Sequence, residues 1–93
     1  MAIRFEWDES KNKSNRAKHG IWFEEAQSVF DDAFGRLFVE DSSDEERFIL
    51  VGMSLHSGIL VVVHCYRDED SVIRIISARK ATNRERIFYE KRI

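Results

Sequence analysis

Apolar and polar positions alternate at the start of the chain, where Ile3, Phe5 and Trp7 are separated by Arg4 and Glu6, and this predicts a strand half covered by core. Asp8 can cap a helix begun at Glu9. Glu9 to His19 favours helix, yet Ala17 is its only apolar residue, and Lys11, Asn15, Lys18 and His19 fall at i, i+4, i+7 and i+8 on one stripe. A helix this polar is held by its neighbours rather than by an apolar face of its own. The stripe reads either as a solvated face or, through Lys18 and His19, as a donor and a proton carrier. Gly20 suits the left-handed position after a helix end, with Ile21 placed for the apolar contact that accompanies such caps. Phe23, Ala26, Val29 and Phe30 then make one face of a second helix, about Phe23 to Asp31.

Past Gly35 the period changes to two. Arg36 to Val39 reads as a short strand with Leu37 and Val39 on one side, and Glu40 to Glu46, EDSSDEE, as a solvated loop. Arg47 to Met53 is a strand, Ser54 to Gly58 a turn, Ile59 to Tyr66 the most apolar strand, and Arg67 to Ser71 a polar hairpin loop. Val72 to Ala78 is β-branched and nearly unbroken in hydrophobicity, which suits a strand covered on most of both faces. Thr82 with Glu85 three residues on has the pattern of a capping box, so a last helix begins there and Arg79 and Lys80 stand at the strand exit just before it. The predicted order is β-α-α-β-β-β-β-α, the last four strands forming an antiparallel meander. The expectation is one α+β domain over residues 1–93, a small antiparallel sheet with two N-terminal helices and a C-terminal helix.

Composition narrows the classes. Ninety-three residues, 43% hydrophobic and 12% aromatic, make one small globular domain with little room for a large buried cofactor. No apolar run approaches the ~18 residues of a membrane span, and the opening residues lack the apolar segment of a signal peptide, so a cytoplasmic protein without membrane contact is expected. Cys65 is the single cysteine; in an apolar strand it reads as a buried inert thiol. Three scattered histidines with that cysteine give no metal-ligand spacing, so neither metal nor cofactor is expected. The net charge of −2 hides a segregation: residues 1–19 carry five bases and three acids, 20–46 one and nine, 47–71 two and three, and 72–93 seven and two. Either this is the chance alternation of a small surface, or one face suits phosphate and another a basic protein.

Those cations bear on chemistry. RNA is cut when its 2′-OH is deprotonated, the charge on the attacked phosphorus is stabilised and the leaving 5′-oxygen is protonated, for which Lys, Arg, His and Tyr suffice. Arg74, Arg79, Lys80 and Arg84, with His64 on the neighbouring strand and Tyr89 on the last helix, supply these types in two adjoining elements. His64 is either a hydrogen-bonded core residue or a functional one. With Tyr66 opposite Val72 it would pair with Arg74, and with the register slipped by one it would share a face with Ser77 and Arg79. Tyr89 is either a packing residue beside Phe88 or an RNA contact.

The segments FEWDESKNKSNRAKHGIWFEEAQSVF at 5–30, LVVVHCYR at 60–67 and IRIISARKATNRERIFYE at 73–90 resemble the BrnT toxins of bacterial type II toxin–antitoxin systems. The resemblance implies a RelE-like fold and a metal-independent endoribonuclease that arrests growth. It also implies a BrnA-like ribbon-helix-helix antitoxin whose dimer carries two toxins and represses the shared operon. It extends to Lys18 and His19 in KHG, His64 in VVVH, Arg67, and Arg79 and Lys80 in ARKAT. The expected catalytic set is therefore His64 for proton transfer with Arg74, Arg79 and Lys80 on the phosphate, and the expected RNA contacts are Lys18, His19, Arg67, Arg84 and Tyr89. Two other classes stay open, a non-catalytic module that binds the antitoxin and tunes the operon, and an RNA-binding domain.

Overall fold

The structure, a computed structural model, describes residues 3–40 and 46–91, so most of the expected acidic loop, residues 41–45, lies outside the described residues. Strand β1 (Arg4–Glu6) leads into helix α1 (Glu9–His19) and helix α2 (Phe23–Gln27), which tightens into a 3₁₀ turn over Ser28–Asp31. Strands β2 (Arg36–Glu40), β3 (Arg47–Met53), β4 (Ile59–Arg67) and β5 (Val72–Lys80) come next in the chain, and helix α3 (Asn83–Lys91) comes last. They form one five-stranded sheet in the order β1-β5-β4-β3-β2. The meander from β2 to β5 is antiparallel as expected, but β1 lies parallel to β5, so the sheet is mixed rather than antiparallel throughout. Arg4 pairs with Val72 and Glu6 with Arg74, which joins two strands far apart in sequence at one edge.

The caps form as the sequence requires. The Asp8 carboxylate accepts the N–H groups of Ser10 and Lys11 at 2.8 and 3.3 Å, and Gly20 closes α1 at φ 77° with its N–H on the Arg16 carbonyl. Thr82 and Glu85 cap α3 reciprocally: the Thr82 N–H donates to Glu85 Oε1 at 2.8 Å and the Glu85 N–H to Thr82 Oγ1 at 3.2 Å. Asp68, Glu69 and Asp70 all take positive φ in the β4–β5 hairpin, a conformation Asp tolerates better than most residues.

Helices α1 and α2 cover one face of the sheet, where Ile21, Phe23, Ala26 and Val29 pack on Leu50, Leu60, Val62, Ile75 and Ala78, with Phe5, Trp7 and Phe30 at the margin. On the other face a smaller cluster joins Val51, Ile59 and Val61 to Tyr89 of α3. Helix α1 contributes no apolar side chain to either; its buried residues are Asn12 and Asn15. Asn12 accepts the Phe23 N–H at 2.7 Å and donates to Glu9 and Glu24, while Asn15 bonds both backbone groups of Ala78. A polar helix is thus fixed by fully satisfied buried amides instead of an apolar stripe. Gly52 has its own reason. A Cβ there would lie 2.9 Å from Val29 Cγ1 and 3.2 Å from Asp32 Oδ2, so only glycine lets the 3₁₀ turn approach β3 this closely.

Candidate nucleic-acid interface

One end of the molecule is built from three elements. Asn15 Nδ2 donates to the carbonyls of Ala78 at 2.8 Å and Ile21 at 2.9 Å, which fixes the last turn of α1 and its exit against β5. Lys18 and His19 come one turn after Asn15, and Arg79 and Lys80 come directly after Ala78. Thr82 then starts α3, bringing Arg84 into its first turn. Lys18 and His19 thus end the helix that packs on β5, while Arg79, Lys80 and Arg84 run from the exit of β5 into α3. Among the described residues Lys18, Lys80, Arg84 and Arg86 take part in no ion pair.

The sheet's arginines differ. Arg79 holds Glu85 with two parallel bonds, Nη1 to Oε1 at 2.8 Å and Nη2 to Oε2 at 2.9 Å. That fork, with burial opposing it and the Thr82 N–H assisting, pulls the Glu85 carboxyl down to about 2. Arg79 thus braces the strand exit against the helix start. Arg74 Nη1 donates to Glu6 across β1 and β5 at 2.9 Å, and Arg4 meets Asp68 at 3.4 Å.

His64 stands apart from all of these. It is fully buried on the helix-covered face, its ring 4.8 Å from Phe30 and 5.3 Å from Tyr66 between centroids, with Phe48 at 6.1 Å. Burial pushes its pKa below the usual 6.5, only partly offset by the contact of Nδ1 with the Val62 carbonyl at 3.3 Å. The register slipped by one occurs at His64, with Tyr66 opposite Ile73, but the shift between Val63 and His64 takes Ser77 and Arg79 off its face. A bulge places His64 opposite Ile75 and Cys65 opposite Arg74, so no guanidinium faces the imidazole across the strands, which corrects the expected His–Arg pairing.

Two of the expected RNA contacts also lie elsewhere. Tyr89 is buried, its hydroxyl donating to Asp32 Oδ2 at 2.5 Å, which settles its two readings in favour of packing. Arg67 pairs with Val72 and Lys80 with Leu60, eight residues along β5, so Arg67 is about 26 Å from the cationic end at 3.3 Å per residue.

Beside Lys80 the surface forms a cleft of about 280 Å³, with Met53, Ile59 and Ala81 among its apolar walls and Ser57, Arg86 and Glu90 among its polar ones. Arg86 and Glu90 did not stand out in the sequence; their i, i+4 spacing on the capped helix is the signal that would have found them. Among the described residues no three His, Cys, Asp or Glu side chains cluster as a metal site, and no helix is long and apolar enough to cross a membrane.

A small mixed sheet with helices on both faces and cations without ion pairs, Lys80 and Arg86, lining one cleft is a scaffold suited to a polyanion. The family model for the ribonuclease toxin BrnT of type II toxin–antitoxin systems matches residues 7–85, so the chain belongs to the BrnT family. The 1.1 Å crystal structure of the ribonuclease toxin BrnT from Brucella abortus has the same fold, with a TM-score of 0.70 over 88% of this chain and 100% of that one, at 23% sequence identity. No curated protein matches the chain in sequence.

Proposed function

We infer that this BrnT-family chain is a RelE-like, metal-independent endoribonuclease that arrests growth in the cytoplasm and is neutralised by a BrnA-like ribbon-helix-helix antitoxin, two toxins on one antitoxin dimer. The observation that carries the reading is the grip of Asn15 on Ala78, which sets the end of α1, one turn short of Lys18 and His19, against the stretch of β5 that runs on into Arg79, Lys80 and, in α3, Arg84. In the reaction a ribose 2′-oxygen loses its proton and attacks the adjacent phosphorus, the bond from phosphorus to the 5′-oxygen breaks, and that oxygen takes up a proton. The products are a 2′,3′-cyclic phosphate and a 5′-hydroxyl. Lys80, Arg84 and Lys18 hold the anionic phosphate and the charge that grows on it. His19, half-buried at the rim, exchanges the proton in place of the fully buried His64. Arg79 is a positioning residue, fixing the strand exit through Glu85.

Purified protein with a defined unstructured RNA tests this. Cyclic-phosphate ends that form in excess EDTA, and no cut where the ribose lacks its 2′-hydroxyl, support the assignment. Intact RNA under all conditions sinks it.

The commitment of Arg4, Arg74 and Arg79 to carboxylates favours a second reading, a non-catalytic module that binds the antitoxin and tunes the operon. Induced expression without growth arrest, from protein that still binds its antitoxin, supports that alternative.

A further inference from the structure

The cleft between the β3–β4 turn and α3 has the chemistry of a nucleotide site, and resting on the ribonuclease reading we propose that it is a subsite for one unpaired guanine nucleotide of the RNA. Its volume, about 280 Å³, sits at the lower end of ligand pockets and suits one nucleotide rather than a larger ligand. Lys80 and Arg86 line it without an ion pair, whereas Arg4, Arg74 and Arg79 of the sheet are committed to carboxylates. These two uncommitted cations, from β5 and α3, supply the phosphate position.

The base position lies against the other walls. Met53, nearly half exposed, joins Ile59 and Ala81 as an apolar surface on which a base can lie flat. The rim at Gly58 is open, since a Cβ there would meet no atom within 4 Å. Glu90 selects among bases. Its carboxylate only accepts hydrogen bonds, through two oxygens side by side, and it makes no bond within the described chain. Guanine alone of the four presents two adjacent N–H donors, at N1 and N2, on its pairing edge, and so meets both oxygens at once. Adenine and cytosine offer one amino group, and uracil one ring N–H flanked by carbonyl oxygens that the carboxylate repels. An unpaired base exposes that edge, as sequence-specific RNA recognition requires.

The four nucleoside 5′-monophosphates serve as probes, titrated by NMR into the full chain, alongside mapping of the first cuts in an unstructured RNA. GMP should bind about 10-fold or more tighter than the other three, as one bidentate pair discriminates between bases. Glu90→Gln, which replaces one acceptor with a donor at the surface of α3, should abolish that preference while AMP and CMP bind as before. Lys80→Ala should weaken all four alike. Wild-type cuts should cluster beside guanines, and Glu90→Gln should scatter them. Equal binding of the four nucleotides, no binding, or a cut pattern indifferent to guanine and to Glu90→Gln overturns the subsite while leaving the ribonuclease reading in place. Guanine-selective binding by a protein that cuts no RNA overturns that reading and leaves the subsite.

Discussion

The side-chain amide of Asn15 closes on the backbone of Ala78 in both directions, Nδ2 donating to the carbonyl at 2.8 Å and Oδ1 accepting the N–H at 3.1 Å. Beyond Arg74 strand β5 has no strand beside it on that edge, because β1 ends at Glu6, and Asn15 supplies the bonds a strand would have made. Asn15→Ala should lower stability by about 2–4 kcal/mol, since it leaves buried backbone groups of Ala78 and Ile21 unpaired at about 1–3 kcal/mol each. Denaturant unfolding measures this. Cleavage should fall as well, because the same clamp sets the end of α1 against Lys80.

His64 predicts a pH effect. Burial lowers its pKa in the fold, so it stays neutral in the folded chain while the unfolded chain takes up a proton near the usual 6.5. Its stabilising effect is fully present above that value and is lost as pH falls from there through the folded pKa, at up to about 1.4 kcal/mol per pH unit. Urea unfolding at pH 7.5 and 5.5 should show this loss in the wild type and a smaller one in His64→Phe. His64→Gln should cut RNA at the wild-type rate in single-turnover assays; a 100-fold loss with normal folding would return this residue to catalysis, on the usual scale of proton-transfer groups.

Tyr89→Phe should cost about 1.5–3 kcal/mol, the usual worth of a hydrogen bond to a charged group. The lost hydroxyl is one of several donors on Asp32, which also accepts the Met53 N–H at 2.7 Å and the Phe34 N–H at 2.9 Å. Calorimetry should register a lower melting temperature, and RNA cleavage should be unaffected.

Glu85 links the capping box to Arg79. Its pKa of about 2 lies below the usual 4.5, so its contribution is present above 4.5 and disappears as pH falls toward 2. Solvent screens a pair whose side chains are 41% and 30% exposed, so Glu85→Gln should cost only about 1 kcal/mol at pH 7. Arg79→Ala should show a similar loss together with reduced cleavage, and Arg79→Lys, without the planar fork, should recover only part of each. Cleavage by Arg79→Ala at the wild-type rate would remove the brace from the account of the site.

Local chemistry made much of this legible before any fold was known. Gly20 and the Thr82–Glu85 box each work within one turn, so their residues alone announce the helix ends. The meander was legible because short loops leave antiparallel neighbours as the simple connection. Three things needed the tertiary structure. Nothing near Arg4 says that its partner is Val72, so the parallel edge was hidden. Asn15 reads as part of a solvated stripe, and Asn12 gives no signal, because a buried amide looks like an exposed one until its partners are known. His64 was misplaced by one bulged residue, which turns a whole set of side chains relative to the strand beyond it. Among the site residues, Lys80 and Arg84 stand where the strand exit and the cap predicted, whereas Tyr89 and Arg67 depended on which way a helix and a hairpin faced.

The parallel edge also sets an order of assembly. Glu6 and Arg74 are 68 residues apart, and Asn15 and Ala78 are 63 apart, so neither β1 nor α1 can dock while a ribosome is still making the middle of the chain. The hairpins from β2 to β5 are local and can form earlier, whereas contacts of such long span close late. The cationic end needs α1, β5 and α3 together, so it exists only once nearly the whole chain is available. A truncated product from an interrupted ribosome would carry Lys18 and His19 on an undocked segment, with no Lys80 or Arg84 beside them.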